Sequence, residues 1–324
     1  MPRKAIRLTL EQITKAELKF DTRNKQAEYL GVSEDVYRRE RKRIKQEEYQ
    51  ERFEEFKQTR DYKAVKRVPL LNYVKIVIDP SWDFMRLVPV GDIHWGNEDC
   101  DEGFLDFVLD WCKITPDIKI ILMGDLVESS IVDSPGLFDQ TKFLDSQVYE
   151  IVEKFEPLVK QDKILGLLRG NHELRVHKKT GFDLAKLMAK LLGVPYFQDG
   201  MIHAFEITDG ERKEVYTAYT THGRSGARYP HTKIKACIEL DRIVEAELYI
   251  MGHVHSLDAT KMDRYRPNVI TKTVESVPRH FVLSGSFLGY WGTYAQRAGY
   301  PLSGDLGAPK IKLHLDTHRI SVSL

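Results

Sequence analysis

The 324-residue chain is poor in cysteine: Cys100, Cys112 and Cys237 are odd in number, far apart and without a CxxC pair. That excludes a cysteine zinc knuckle or a dithiol redox motif and points to a reducing compartment. Nowhere do about 18 apolar residues run together, which argues against a membrane-spanning helix. The start, MPRKAIRLTLEQITKAELKF, lacks the apolar core and small-residue cleavage site of a secretory leader. A cytoplasmic protein of a bacterium or a phage-infected cell is the expectation. Net charge is nearly absent as well, since 49 Lys+Arg face 48 Asp+Glu, so no overall attraction to nucleic acid or an anionic membrane operates. The charge is unevenly spread, however. Residues 1–68 hold 19 basic and 13 acidic side chains, or +6, which leaves −5 for the remainder.

From Leu8 to Tyr62 there is one Gly and no Pro, a helical composition rich in Glu, Lys, Arg and Gln. We expect a helical module over 1–62, a linker over 63–70 (KAVKRVPL) and a catalytic domain over 71–324. In that domain short apolar runs alternate with polar, helix-like stretches, an α/β pattern. The runs are FMRLVPV, IKIILMGD, ILGLLRG, VYTAYTTHG, ELYIMGHVH and HFVLSGSF.

Nearly every run closes in a residue able to bind a cation. Gly91-Asp92-Ile93-His94 sets a carboxylate and an imidazole two apart, on one side of an extended backbone. Gly124-Asp125 frees a second carboxylate, and Gly170-Asn171-His172 puts an amide oxygen beside an imidazole. His222 follows, then His253 and His255, again two apart; five of the eleven histidines fall at such ends. Each element alone is ordinary turn chemistry or a structural histidine. Together, oxygen and imidazole donors without thiolate suit Mn²⁺, Fe or Zn²⁺, and two cations sharing a carboxylate need about this many ligands.

GDIH, GDLVE, GNHE, the isolated TTHG and GHVH, in this order over residues 91–255, resemble the five signature blocks of the calcineurin-like metallophosphoesterases. The resemblance implies an α/β fold of two packed mixed β-sheets flanked by helices, with a dinuclear site at one edge. By matching position, Asp92, His94 and His255 would hold one metal and Asn171, His222 and His253 the other, with Asp125 between them. Two divalent ions are implied, manganese first, with iron, zinc, magnesium or nickel as alternatives. A bridging hydroxide would attack the phosphorus in line, and His172, the family's non-ligand histidine, would protonate the leaving oxygen. Glu173 either orients the His172 ring, supports the site from behind or is a surface residue.

LLRGNHE is also similar to a block of protein Ser/Thr phosphatases in which the arginine holds a phosphomonoester. Arg169 is its counterpart here, either a substrate ligand or a buttress. GDLVESS departs from their pattern, with Ser129-Ser130 where Arg-Gly would stand. Losing one arm of a guanidinium clamp favours a phosphodiester, as in a nucleic acid or nucleotide. Arg224 and Arg228, with His231, are further candidates for phosphate, and Tyr290, Trp291 or Tyr294 for stacking on a base.

Thr22–Ile44 resembles a helix-turn-helix, with Ala27 and Leu30 packing inward, Gly31 at the turn and Ser33 as a cap. Arg38, Arg39, Lys42 and Arg43 would then reach DNA, although Glu40 falls where an apolar residue is usual. The alternative is a solvated, salt-bridged arm. The expected activity is that of a nuclease or phosphodiesterase. A phosphomonoesterase, including a protein phosphatase, is one alternative; a DNA-binding regulator with a nucleotide-sensing metal domain is the other.

Overall fold

The computed structural model describes residues 6–59 and 71–324 except 135, 298, 300, 303 and 304, with the backbone alone at 48–59 and 294. The proposed linker therefore lies outside the described residues. The chain divides into two compact units, Met1–Val68 and Pro69–Leu324.

In the first unit, α1 (Leu10–Lys19), α2 (Arg23–Tyr29) and α3 (Glu34–Thr59) surround a small core. Thr9 starts α1 with a reciprocal box, its hydroxyl accepting from the Gln12 amide while the Gln12 side chain accepts from the Thr9 N–H. Leu8, Ile13, Ala27, Tyr37 and Ile44 are buried together, with Leu30 and Val32 against them. Gly31 takes φ +66° between α2 and α3, and the Ser33 hydroxyl accepts from the Val36 N–H at 3.4 Å. Glu40, set among apolar residues, is buried but satisfied: its carboxylate accepts from the Leu8 N–H and from Arg43. Arg43 is only partly exposed, and its guanidinium is held by Glu40, Glu47 and the Leu8 carbonyl, so it helps to close this core.

The second unit has β1 (Leu71–Val77), β2 (Phe84–Val90), β3 (Ile118–Leu122), β4 (Ile164–Leu168), β5 (Tyr196–Phe197), β6 (Met201–Thr208), β7 (Lys213–Thr221), β8 (Leu248–Met251), β9 (Leu257–Asn268), β10 (Thr273–Ser284), β11 (Lys310–His314) and β12 (Ile320–Ser323). Among them run α4 (Glu102–Ile114), α5 (Leu144–Val159), α6 (Asn171–Thr180), α7 (Leu184–Leu192), α8 (Pro230–Ile238) and the single turn α9 (Tyr294–Arg297). The strands form two mixed sheets, ordered β12-β11-β2-β3-β4-β5 and β1-β6-β7-β8-β10-β9. This is the expected pair of sheets flanked by helices.

Strand alternation explains the layers. In β2, Met85 and Leu87 face a core between the sheets that includes Ile121, Leu168, Phe205, Ile250 and Val282. Val88 and Val90 face the opposite side, against Leu105 and Leu109 of α4 and Ile151 and Phe155 of α5. With both faces covered, FMRLVPV has little need of the polar alternation of a half-exposed strand. On the second sheet, Cys237 of α8 packs with Tyr249, Met251 and Phe281. β2, β3 and β4 are mutually parallel, as are β7, β8 and β10. Their C-terminal ends lead into the loops that carry the chemistry, the place where open α/β sheets gather ligands. Among the described residues no helix is long and apolar enough to cross a membrane.

Candidate metal centre

Backbone strain marks the site before any side chain is considered. Asp92, His94, Asp125, His253 and His255 all take φ between +46° and +71°, a left-handed conformation that costs a non-glycine residue about 1–3 kcal/mol. Such strain persists only where its surroundings enforce it, and here the loops are pressed together. Gly124 has φ +88°, and a Cβ on Gly170 would collide with both the amide and the carboxylate of Asp125. The two glycines let the ends of β3 and β4 meet.

Among the described residues the side chains form three donor clusters: Asp92, His94 and His255; Asp125, His222 and His253; and His94, Glu128 and His172. In the first, Asp92 Oδ1 is 3.3 Å from His255 Nε2, and Nε2 of His94 and His255 are 3.0 Å apart. In the second, His222 Nε2 lies 2.9 Å from Asn171 Oδ1 and 3.2 Å from Asp125 Oδ2. That Asp125 oxygen is 4.0 Å from His94 Nε2, so one carboxylate stands between the clusters. All seven expected ligand residues are brought into one neighbourhood.

Outer contacts orient the rings. His94 Nδ1 donates to Glu128 Oε2 at 3.0 Å and His222 Nδ1 donates to the Met123 carbonyl at 2.8 Å, leaving Nε2 of each turned inward. His253 Nε2 donates to the Ser225 carbonyl at 3.1 Å, which leaves Nδ1 as its lone-pair nitrogen. The backbone N–H of His253 meanwhile donates to Asp92. His222 Nε2 therefore confronts two acceptor oxygens, and His94 Nε2 confronts the His255 imidazole. Only a proton or a cation at these points satisfies such a convergence of lone pairs. The donor set thus fits divalent metal.

The electrostatics agree. Burial would raise the Asp92 carboxyl, but the His255 and His222 rings hold it below the ordinary value. Asp125, against the same burial, is held well below its ordinary value by His222, His172 and His94. Burial opposes protonation of His222, yet Asp125 and Asp92 lift its pKa to about 10. Carboxylates kept ionised at depth attract cations, and a metal there displaces the imidazole protons.

His172 occupies a different position. Its ring meets that of His94 edge-on at 4.4 Å, its Nδ1 donates to the Glu128 carbonyl at 2.7 Å, and its backbone N–H donates to Asp125. Burial, chiefly, pushes its pKa down to about 4. Among the described residues no hydrogen bond joins Glu173 to that ring. Its fully buried carboxylate instead accepts from the N–H groups of Gly170, Asp125 and Leu126, tying α6 to the Asp125 loop. Burial and the nearby Asp125 push it up to about 7.

A cavity of about 330 Å³ opens on the cluster, with Arg175, Ser225, Lys233, Val254, Leu288 and Tyr290 among its lining residues. Three expected substrate ligands lie elsewhere. Arg169 is nearly buried and bonded to Asp183 and Asp199, 3.2 Å from each, so it buttresses the fold. Arg224 and Arg228 are exposed and absent from the cavity wall, where the alternate positions Ser225 and Ala227 face inward. His231 stacks on Tyr229. Of the aromatic candidates Tyr290 reaches the cavity, Trp291 is exposed, and the Tyr294 side chain lies outside the described residues. Glu128, Asn97, Arg175 and Lys233 were not expected at the site. Only Glu128 carried a signal, its place in GDLVE.

Solved structures matched by the chain include a predicted phosphoesterase from Streptococcus pneumoniae, at 12% identity over 75% of this chain and 89% of that one, TM-score 0.33. Vps29 from Entamoeba histolytica complexed with zinc is 14% identical over 74% and 97%, TM-score 0.31. The calcineurin-like phosphoesterase YfkN from Bacillus subtilis is 13% identical over 74% and 88%, TM-score 0.31. No curated protein matches the chain in sequence comparison. The family model of the calcineurin-like phosphoesterases matches residues 85–257, more than half of the chain and the whole span of the donor clusters, and the protein belongs to that family.

Proposed function

We propose that the protein is a two-metal phosphodiesterase acting on nucleic acid or nucleotides. The observation that carries this reading is Asp125 Oδ2, which lies 3.2 Å from His222 on one side and 4.0 Å from His94 on the other, one carboxylate serving two clusters. Asp92, His94 and His255 would hold one cation and Asn171, His222 and His253 the second, with Asp125 shared. Divalent ions bound there supply Lewis acidity, neutralising phosphate oxygens and lowering the pKa of water; manganese suits the nitrogen and oxygen donors.

The protein's own groups do the rest. Glu128 and the Met123 carbonyl fix the inward-facing nitrogens of His94 and His222. His172, its Nδ1 proton held on the Glu128 carbonyl, presents Nε2 to the cavity and passes a proton to the departing oxygen. The anionic substrate, together with Glu128 Oε1 3.5 Å from Nδ1, offsets the burial that keeps the free ring neutral. A diester rather than a monoester is favoured by Arg169, whose guanidinium is already engaged by two carboxylates. The apolar side of the cavity, Val254, Leu288 and Tyr290, suits a base or sugar. In the N-terminal unit, Arg38, Arg39 and Lys42 are exposed on α3 and would track phosphates of DNA.

The test is turnover of bis-p-nitrophenyl phosphate against p-nitrophenyl phosphate by manganese-loaded protein, with Asp125→Ala as the blank. Faster cleavage of the diester supports the reading. The reverse ranking favours the phosphomonoesterase, and no turnover on either, with salt-sensitive DNA binding, favours the regulator.

A further inference from the structure

Among the described residues two lysines are deeply buried, and the fold treats them differently. Lys163 is 5% exposed, and its ammonium donates to three carbonyls, those of Cys112, Lys113 and Thr115, at 2.6 to 2.9 Å. Every proton it carries has an acceptor. Lys233 is equally buried at 5%, yet among the described residues no hydrogen bond or ion pair engages its ammonium. Buried Arg279 likewise has carboxylates, those of Asp241 and Glu245. A buried cation without an acceptor is unfavourable unless something arrives to meet it.

The place of Lys233 says what arrives. It lies in the first turns of α8, on the same face as Cys237, but where Cys237 enters the apolar core, Lys233 reaches the wall of the metal-site cavity. Burial lowers its pKa. The ammonium pairs with none of the described carboxylates of the metal clusters, and Val254, Leu288 and Tyr290 line the same cavity. An anion besides the one held at the metals would meet it there.

We infer that Lys233 is the subsite for a second phosphate, one carried by the substrate beside the phosphodiester that is cleaved. The inference rests on the phosphodiesterase reading and narrows it to substrates with at least two phosphates, either a nucleotide chain or a nucleoside polyphosphate.

Lys233→Met in the full-length chain tests it, because methionine keeps the stem and deletes the charge. Hydrolysis of thymidylyl-thymidine with and without a 5′-phosphate reads a nucleotide chain. A dinucleoside triphosphate against a dinucleoside diphosphate reads a polyphosphate. In at least one pair, the KM preference of the native protein for the extra phosphate should fall about 10-fold or more in the variant, the size expected of a hydrogen bond to a charged group. The melting temperature should rise by roughly 2–4 °C, since a burden on the fold is removed. Equal loss on both members of both pairs, or a melting temperature that falls, overturns the proposal. Calorimetric binding of the 5′-phosphorylated dinucleotide to metal-free native and variant protein separates the two readings. If nothing is hydrolysed but the native protein still binds more tightly than the variant, the phosphodiesterase reading fails and the phosphate subsite stands.

Discussion

Nδ1 of His94 donates to Oε2 of Glu128 at 3.0 Å, and Asn97 Nδ2 donates to the same oxygen at 3.1 Å. Glu128 is not placed to share the cation of Asp125 and His222; it acts through the ring it holds. Burial would raise its carboxyl, but the His94 imidazole draws it down to about 2. Glu128→Gln should therefore lower manganese affinity about 10- to 100-fold, the usual effect of losing an outer partner of a ligating histidine. Calorimetric titration of metal-free protein with Mn²⁺ measures it, and a binding isotherm unchanged from native would remove Glu128 from the site.

His172→Ala should behave in the opposite way. The ring touches the Glu128 carbonyl and packs edge-on against His94, while only its backbone bonds Asp125. Turnover should drop about 10²- to 10⁴-fold, the range for a lost general acid, with metal content by atomic absorption equal to native. Loss of metal together with activity would make His172 a ligand instead.

Glu173 supports the site through the backbone. Four N–H groups end on its carboxylate, those of Gly170, Asp125 and Leu126 at 2.8 to 3.1 Å and that of Val127 at 3.5 Å. Glu173→Ala strands these buried donors, each at a cost of about 1–3 kcal/mol. Urea denaturation should show a lower midpoint with an unchanged slope. Native-like stability would mean that the Asp125 loop holds its shape without the clamp.

These bonds show which parts of the site sequence can disclose. Asp92, Asp125, Asn171 and His253 each follow a glycine at a strand end, and that local punctuation is visible without coordinates. Glu173 is visible as an acid next to His172, but the N–H groups it serves include those of Asp125 and Leu126, nearly fifty positions away, so sequence leaves its role open among the adjacent ring, a support from behind and the surface. Arg169 is opaque for the same reason, because its partners Asp183 and Asp199 come together only through β4, α7 and β5. Lys233 sits in PHTKIKACIEL, where lysine ordinarily means a solvated helix face; nothing short of the fold distinguishes it from Lys235. Arg43 reads as one of a basic run, and only the fold reveals Glu40 buried beneath it.

Acid stability should depend on His203, a residue of β6 outside the metal loops. The ring is fully buried, with Nδ1 accepting from Asn72 Nδ2 at 3.0 Å and Nε2 donating to Thr220 Oγ1 at 2.8 Å. Burial pushes its pKa down to about 4. Between that value and the ordinary 6.5, the unfolded chain binds a proton that the folded chain refuses, so stability is complete above pH 6.5 and declines as pH falls toward 4. The full effect is about 3 kcal/mol. His203→Gln should flatten this limb of a stability–pH curve measured by urea denaturation; an unaltered slope would assign the acid sensitivity to other groups.

The basic helix α3 yields a further test. Arg38 and Arg39 are mostly exposed; Arg38 is 3.8 Å from Asp35, and Arg39 is 3.6 Å from Glu40. At those distances and exposures the pairs contribute little to the fold. Lys42 is exposed on the same helix. Replacing all three with alanine should leave the melting temperature within about 2 °C of native. The slope of log affinity for duplex DNA against log salt should become shallower by about 2 to 3, because each phosphate that is no longer neutralised takes away about 0.9. Arg43→Ala should do the reverse, lowering stability by uncovering the Glu40 carboxylate while shifting the salt slope by less than about one unit. If the triple variant keeps the native salt slope, α3 does not follow the phosphate backbone, and the N-terminal unit is the salt-bridged arm that its mixed charge also permits.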